Sequence, residues 1–242
     1  MDTELLTQKL VSWIKERVLD AGRQGVVLGL SGGLDSSVLA VLCRQAFPQN
    51  TIGVILPCHS IQKDKTHAEE LSSRFSIPTT EVVLGNTYNA MLKILPDYKA
   101  APELNQLAQA NLKARLRMLT LYYIANQLQY MVVGSSNRSE IAIGYFTKYG
   151  DGGVDIMPLG NLVKGQVREL ANFLGVPRSI IDKPPSAGLW EGQTDEHEMG
   201  FSYETLDRYL LTGDAPKELR GRIEAMTAAS NHKRTMPPIA YF

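Results

Sequence analysis

Cysteine is scarce in this sequence. Two residues, Cys43 and Cys58, stand in a chain of 242. They match neither a disulfide framework nor a zinc pattern, so a stapled secreted scaffold and a thiolate-held metal domain are both disfavoured. Reduced thiols in a cytoplasmic setting are the expectation. Histidine is also thin, with four residues and no clustering. There is no excess of either charge: Lys+Arg and Asp+Glu both number 25. A dedicated nucleic-acid binder usually shows a basic surplus, so no nucleic-acid partner is expected. No apolar run approaches the roughly 20 residues needed to span a bilayer, and no membrane partner is expected. The N-terminal "MDTELLTQKLVSWIKERV" lacks the basic start and apolar core of a signal peptide. No internal repeat or low-complexity segment is present. What remains is a chain 44% hydrophobic and 21% charged, long enough for one large domain over residues 1–242.

Apolar periodicity orders that chain. Helical spacing runs from Leu5 to about Ala21, and "GVVLGL" (Gly25–Leu30) reads as a short buried strand. A helix over Ser36–Phe47 is stopped by Pro48, and a strand over Thr51–Pro57 leads to a helix over Lys65–Phe75. Further strands are predicted at Thr79–Leu84 and Tyr130–Ser135, separated by one long helical stretch, Glu103–Gln129. Strands alternating with helices imply βαβ units: an α/β fold with a doubly wound parallel sheet and helices on both faces. Beyond Ile143 come two long Gly- and Pro-bearing loops, then short helices at about Lys164–Phe173, Tyr203–Leu211 and Lys217–Ala229.

The first strand runs into "LSGGLDSS" (Leu30–Ser37). A strand, a Gly-rich turn and a helix form an anion site, because converging backbone N–H groups meet the positive end of the helix dipole. Ser31, Ser36 and Ser37 add hydroxyl donors. No lysine follows the glycines, which excludes the Walker A form, and Gly32 and Gly33 are adjacent, which excludes G-x-G-x-x-G. Asp35 stands where a phosphate site would want a cation. A carboxylate beside phosphates calls for an intervening metal, and Mg²⁺ is the hard, oxygen-seeking candidate. The plain alternative makes Asp35 or Ser36 a helix N-cap.

The string S-G-G-x-D-S after a buried strand resembles the pyrophosphatase-loop ATP enzymes. Three further stretches narrow the resemblance: "NLKARLRM" (Asn111–Met118), "VVGSSNRSEIAIGYFTKYGDGGVDIMPLGNLVKGQVREL" (Val132–Leu170), and "KPPSAGLWEGQTDEHEMGFSYETLDRYL" (Lys183–Leu210) with "NHKRTMPPI" (Asn231–Ile239). With the turn, they are similar to the NAD synthetases of the short, ammonia-dependent kind. The likeness is adenine-nucleotide alpha hydrolase-like in fold and covers nearly the whole chain.

That resemblance implies amidation of deamido-NAD by ammonia at the expense of ATP, through an adenylate, with AMP and pyrophosphate released. It implies an ATP site formed by Gly29, Leu30, Ser31, Gly32, Gly33, Leu34, Asp35 and Ser36, with Ser135, Lys164 and Ser186. Asp35 and Glu140 become the Mg²⁺ ligands, and Asp35, Lys164 and Ser186 the catalytic set. Arg115, Lys148, Asp155, His232 and Lys233 become the deamido-NAD contacts. Ser135 and Ser186 stand where the family commonly has threonine, and they keep the hydroxyl. Read alone, Glu140 is an ordinary first-turn helix glutamate, Arg115 a surface salt-bridge former, and the basic "HKR" at 232–234 a favourable helix end. Tyr145 and Trp190 read as core or lid aromatics, and the segment Asp182–Glu198 as a ligand-ordered lid. The resemblance further implies a homodimer and no glutaminase domain, the stretch before Gly29 being too short for one. A GMP synthetase ATP-binding subunit and a non-catalytic ATP sensor are the competing readings. The strings around Lys148 and Ser186 weigh against the first, and the acidic pair Asp35 and Glu140 against the second.

Overall fold

Helix α1 (Thr3–Asp20) opens the chain, capped by the Asp2 carboxylate, which accepts the Leu5 N–H at 3.0 Å. There follow β1 (Val26–Gly29), α2 (Leu34–Ala46), β2 (Thr51–Ile55), α3 (Gln62–Arg74), β3 (Thr79–Glu81), α4 (Gly85–Ile94), α5 (Pro102–Leu128), β4 (Met131–Val132) and α6 (Arg138–Ile143). After the loops come α7 (Lys164–Leu174), α8 (Arg178–Ile181), α9 (Asp195–Met199), α10 (Tyr203–Thr212), α11 (Lys217–Ala229) and a 3-10 turn, Asn231–Lys233. The computed structural model describes residues 2–242 apart from Ala187, Leu189, Trp190, Glu191, Gln193 and Tyr241.

The four strands are parallel in the order β3-β2-β1-β4, with Val26 opposite both Thr51 and Met131. Period-two alternation buries both faces. Val26, Leu28, Ile55 and Met131 face a core built with α1, α2, α3 and α7, while Val27, Val54 and Val132 face one built with α4 and α5. Leu39 and Leu42 of α2 are fully buried in the first core. Truncating such a leucine to alanine costs about 2–5 kcal/mol. A third, smaller core joins Ile143, Met199, Phe201, Leu206 and Ile223, tying α6, α9, α10 and α11 together. Chain order turns back between β1 and β4, and in open parallel sheets that switch point opens a crevice beyond the carboxyl ends of the strands. The residues after β1 and β4 line it. Among the described residues, no helix is long and apolar enough to cross a membrane.

All four strands are shorter than their patterns predicted, β3 and β4 the most. Val82 and Leu84 still donate to the Ile55 and Pro57 carbonyls at 2.9 and 2.8 Å, but the chain turns into α4 at Gly85 and regular pairing ends at Glu81. In β4 the Asp155 carboxylate accepts the Val132 N–H at 2.8 Å, where a further strand would otherwise bond, and only an isolated bridge, Val133 to Ile156, continues the sheet. Helix α9 lies inside the segment expected to be irregular. Trp190 lies outside the described residues.

Candidate functional site

The turn after β1 is shaped by a close approach. Gly32 has φ of 72°, and a Cβ there would lie 2.1 Å from the Asp64 carbonyl oxygen of α3, so only glycine fits. Ser31 and Ser36 hydroxyls bond each other at 2.9 Å, and Ser36 and Ser37 donate to the Gly33 carbonyl at 3.1 and 2.7 Å. Helix α2 begins at Leu34 with no side-chain cap, so its first N–H groups open into the crevice with the helix dipole behind them. Asp35 lies in the first turn of α2 rather than at the N-cap position, which is Gly33.

Beyond β4, Asn137 caps α6 reciprocally with Glu140: the Asn137 side chain accepts the Glu140 N–H at 3.1 Å, and Glu140 Oε2 accepts the Asn137 N–H at 3.3 Å. The Asn137 amide also donates to Asp35 Oδ1 at 2.9 Å. One oxygen of each carboxylate is thereby fixed, and the other is aimed inward. Both inward oxygens meet Lys164 Nζ, at 2.5 Å from Asp35 Oδ2 and 3.1 Å from Glu140 Oε1. The ring of Tyr203 lies 4.8 Å from the same ammonium. Lys164 is 4% exposed. Burial alone would depress its pKa, but Asp35 and Glu140 override burial and hold the ammonium above the ordinary lysine range.

Helix α7, which carries Lys164, borrows its cap. Asp207 of α10 accepts the Gly165 N–H at 2.7 Å and the Ser139 hydroxyl at 2.5 Å, and Ser139 Oγ in turn accepts the Lys164 N–H at 3.1 Å. Nearby, Asp195 of α9 receives Tyr203 Oη at 2.9 Å and Tyr145 Oη at 3.2 Å. Burial raises the Asp195 carboxyl and both phenols above their usual ranges.

One cavity gathers Ser31, Gly33, Leu34, Asp35, Ser36, Ser135, Glu140, Lys164 and Ser186. Gly29 ends β1, Leu30 is buried in the core, and Gly32 packs on α3, so these three shape the turn. The same cavity is lined by Ser136, Tyr145, Asp151, Arg168, Lys183 and Asp195. Of these only Tyr145 had been singled out by sequence reasoning, although Lys183 and Asp195 lie within the quoted third string.

A second group forms at the other end of the loop. Arg115 donates to the Lys148 carbonyl at 3.4 Å, Lys148 Nζ to the His232 carbonyl at 2.5 Å, and Lys233 Nζ to the carbonyls of Gly144 and Phe146 at 2.8 Å. Lys148, Lys233 and Arg234 border a shared cleft. Asp155 is engaged elsewhere, with Val132 and, at 2.9 Å, Tyr122 of α5.

A parallel sheet with a serine-lined anion turn at its switch point, facing a carboxylate pair, defines an adenine-nucleotide alpha hydrolase-like α/β protein. The profile of the NAD synthase family matches residues 6–237. The NH(3)-dependent NAD(+) synthetase of Syntrophomonas wolfei is 47% identical over 241 residues, 99% of this chain and 97% of that one. Among solved structures, the NMN synthetase of Francisella tularensis superposes with a TM-score of 0.93 at 37% identity over the whole of both chains. The NH3-dependent NAD synthetase of Campylobacter jejuni, in complex with the nitrate ion, gives 0.82 at 29%, again over the whole of both chains. The chain belongs to the NAD synthase family.

Proposed function

We propose that this chain makes NAD⁺ from deamido-NAD⁺, ATP and ammonia. As a member of the NAD synthase family it is an enzyme, a ligase. The observation that carries the reading is the convergence of Asp35, Glu140 and Lys164 beside the serine-lined turn. The nicotinate carboxylate is inert because its leaving group would be oxide. In the proposed path a carboxylate oxygen attacks the α-phosphorus of ATP, the bond to pyrophosphate breaks, and an acyl-adenylate forms. Ammonia then attacks the carbonyl carbon, AMP leaves with the carbon–oxygen bond, and a proton is shed from nitrogen. The turn amides, Ser31, Ser36, Ser135 and Ser186 orient the phosphates, and Lys164 supplies positive charge.

Two carboxyl oxygens already converge on one cation, which is the hard donor set that suits Mg²⁺. Asp35 and Glu140 are the residues that would hold it. When bound, it supplies charge neutralisation at the phosphates. Arg115, Lys148 and Lys233 offer a cationic face for an anionic dinucleotide. The reading also includes a homodimer and a cytoplasmic setting, in keeping with the free, buried Cys43 and Cys58.

The Francisella neighbour favours a second reading, the same amidation at a mononucleotide. Pyrophosphate release separates the two. With ATP, Mg²⁺ and ammonium, purified protein is expected to show a higher kcat/KM for deamido-NAD⁺ than for nicotinate mononucleotide. It is expected to be inactive when glutamine replaces ammonium. The reverse substrate preference selects the second reading, and turnover with neither substrate removes both.

A further inference from the structure

Each carboxylate of the pair turns one oxygen toward Lys164. Asp35 Oδ1 is taken by the Asn137 amide and Glu140 Oε2 by the Asn137 N–H, so only Asp35 Oδ2 and Glu140 Oε1 point inward. Both are consumed by Lys164 Nζ. A divalent cation bridging the pair from the side of Lys164 competes for the same two oxygens. We propose that Lys164 is the resident cation of the Asp35–Glu140 pair, that it and the metal exclude one another, and that the ATP phosphates open the pair by drawing the ammonium away. The proposal rests on the reading of Asp35 and Glu140 as metal ligands.

Energetics set the direction of the exchange. The Lys164 side chain is 5% exposed and the carboxylates 15% and 16%, so all three charges are largely desolvated. A buried ammonium stripped of its partners is strongly disfavoured. Metal alone therefore cannot evict Lys164 cheaply, because the other carboxylate acting on it, Asp195, already accepts the Tyr203 and Tyr145 hydroxyls. A triphosphate in the cavity provides another anion, and the cavity adjoins Lys164 on the side lined by Ser31, Ser36, Ser135 and Ser186. The four-carbon stem of lysine lets the head swing while α7, fixed by Asp207, stays in place. Nucleotide and metal are then coupled through one side chain, each raising the affinity of the other.

The test is Mn²⁺ binding, by paramagnetic resonance or calorimetry, to full-length protein above neutral pH. Wild type, Lys164→Met and Asp35→Asn are compared with and without a non-hydrolysable ATP analogue. Exclusion predicts an effect that depends on nucleotide. Without nucleotide, Lys164→Met binds Mn²⁺ at least about tenfold tighter than wild type. With the analogue most of that advantage disappears, because the wild-type lysine has already left the pair. Unchanged or weaker binding without nucleotide overturns the proposal. So does equal tightening in both states, which is plain charge repulsion. Asp35→Asn indistinguishable from wild type in both states means instead that the metal reading itself is wrong, and the proposal falls with it. Should Lys164→Met not fold, Lys164→Gln serves for the same measurements.

Discussion

His67 is buried at 4% exposure, and its Nδ1 is the buried side-chain nitrogen or oxygen without a partner among the described residues. It packs beneath the phosphate turn: a Cβ built on Gly32 would lie 3.1 Å from the His67 Cβ. Burial pulls its pKa below the ordinary value, with Lys183 and Lys63 adding to the effect. The neutral form is therefore favoured in the folded state. Its contribution to stability is complete above the unfolded pKa of about 6.5 and is lost as pH falls from there toward the depressed folded value. Melting temperatures measured across that window should fall with acidification in wild type and fall less in His67→Gln. Parallel curves would show that His67 does not carry the acid sensitivity. Sequence gave no sign of this residue. Its neighbours are Gly32, some 35 positions earlier, and Lys183, far later, and only the fold brings them together.

Helix α10 shows what one element can do for a site it does not itself line. Tyr203 and Asp207 are four residues apart and so share a face. One places its ring against the Lys164 head, and the other fastens the start of α7 behind it. Asp207→Ala leaves the Gly165 N–H and the Ser139 hydroxyl without their acceptor, a loss of about 1–3 kcal/mol. Denaturant titration should register it. Because Lys164 would also lose its placement, kcat/KM for ATP should fall more than ammonium KM changes, and Asp207→Glu should recover part of both. An equal loss in every kinetic parameter would mark the role as stability alone. Legibility in the sequence follows the same division. Helix α11 was predicted at its observed bounds, and α2 and α5 within two residues, because their apolar spacing is long enough to read. Helices α4, α6, α8 and α9 were not delimited from the sequence, α6 being foreseen only through Glu140 in its first turn. Three of them have six residues or fewer, and α4 opens at Leu84–Gly85 with no side-chain cap. At the site, the serine turn and Asp35 were readable because a strand, turn and helix lie contiguously in sequence. Asn137 and Asp207 were not, since their partners Asp35 and Ser139 lie 102 and 68 residues away.

At the scale of the molecule, the unsolved surface is α5. Leu104, Leu107, Leu119 and Tyr123 are each more than half exposed. At steps of three and four, the run 104, 107, 111, 115, 119, 123 makes a stripe that winds slowly along the helix. Ile94 and Tyr98, just before it, are exposed as well, at 77% and 87%. Exposed apolar groups at both ends of one helix stripe suit an association site. Arg115 stands in the middle of the stripe and bonds the Lys148 carbonyl, so the apolar face and the cationic cleft adjoin. A second copy of the chain meeting α5 would cover the apolar positions and border the cleft at once. An obligate interface of this sort buries on the order of 2,000 Å² or more. Sedimentation at micromolar concentration should therefore find a dimer. Tyr123→Glu, placing a charge on the stripe two turns from Arg115, should shift it to monomer and raise KM for deamido-NAD⁺ while leaving the far-ultraviolet circular dichroism unchanged. A wild-type monomer with full turnover would contradict the dimer. A Tyr123→Glu monomer with unchanged KM would keep the dimer but separate it from the substrate cleft.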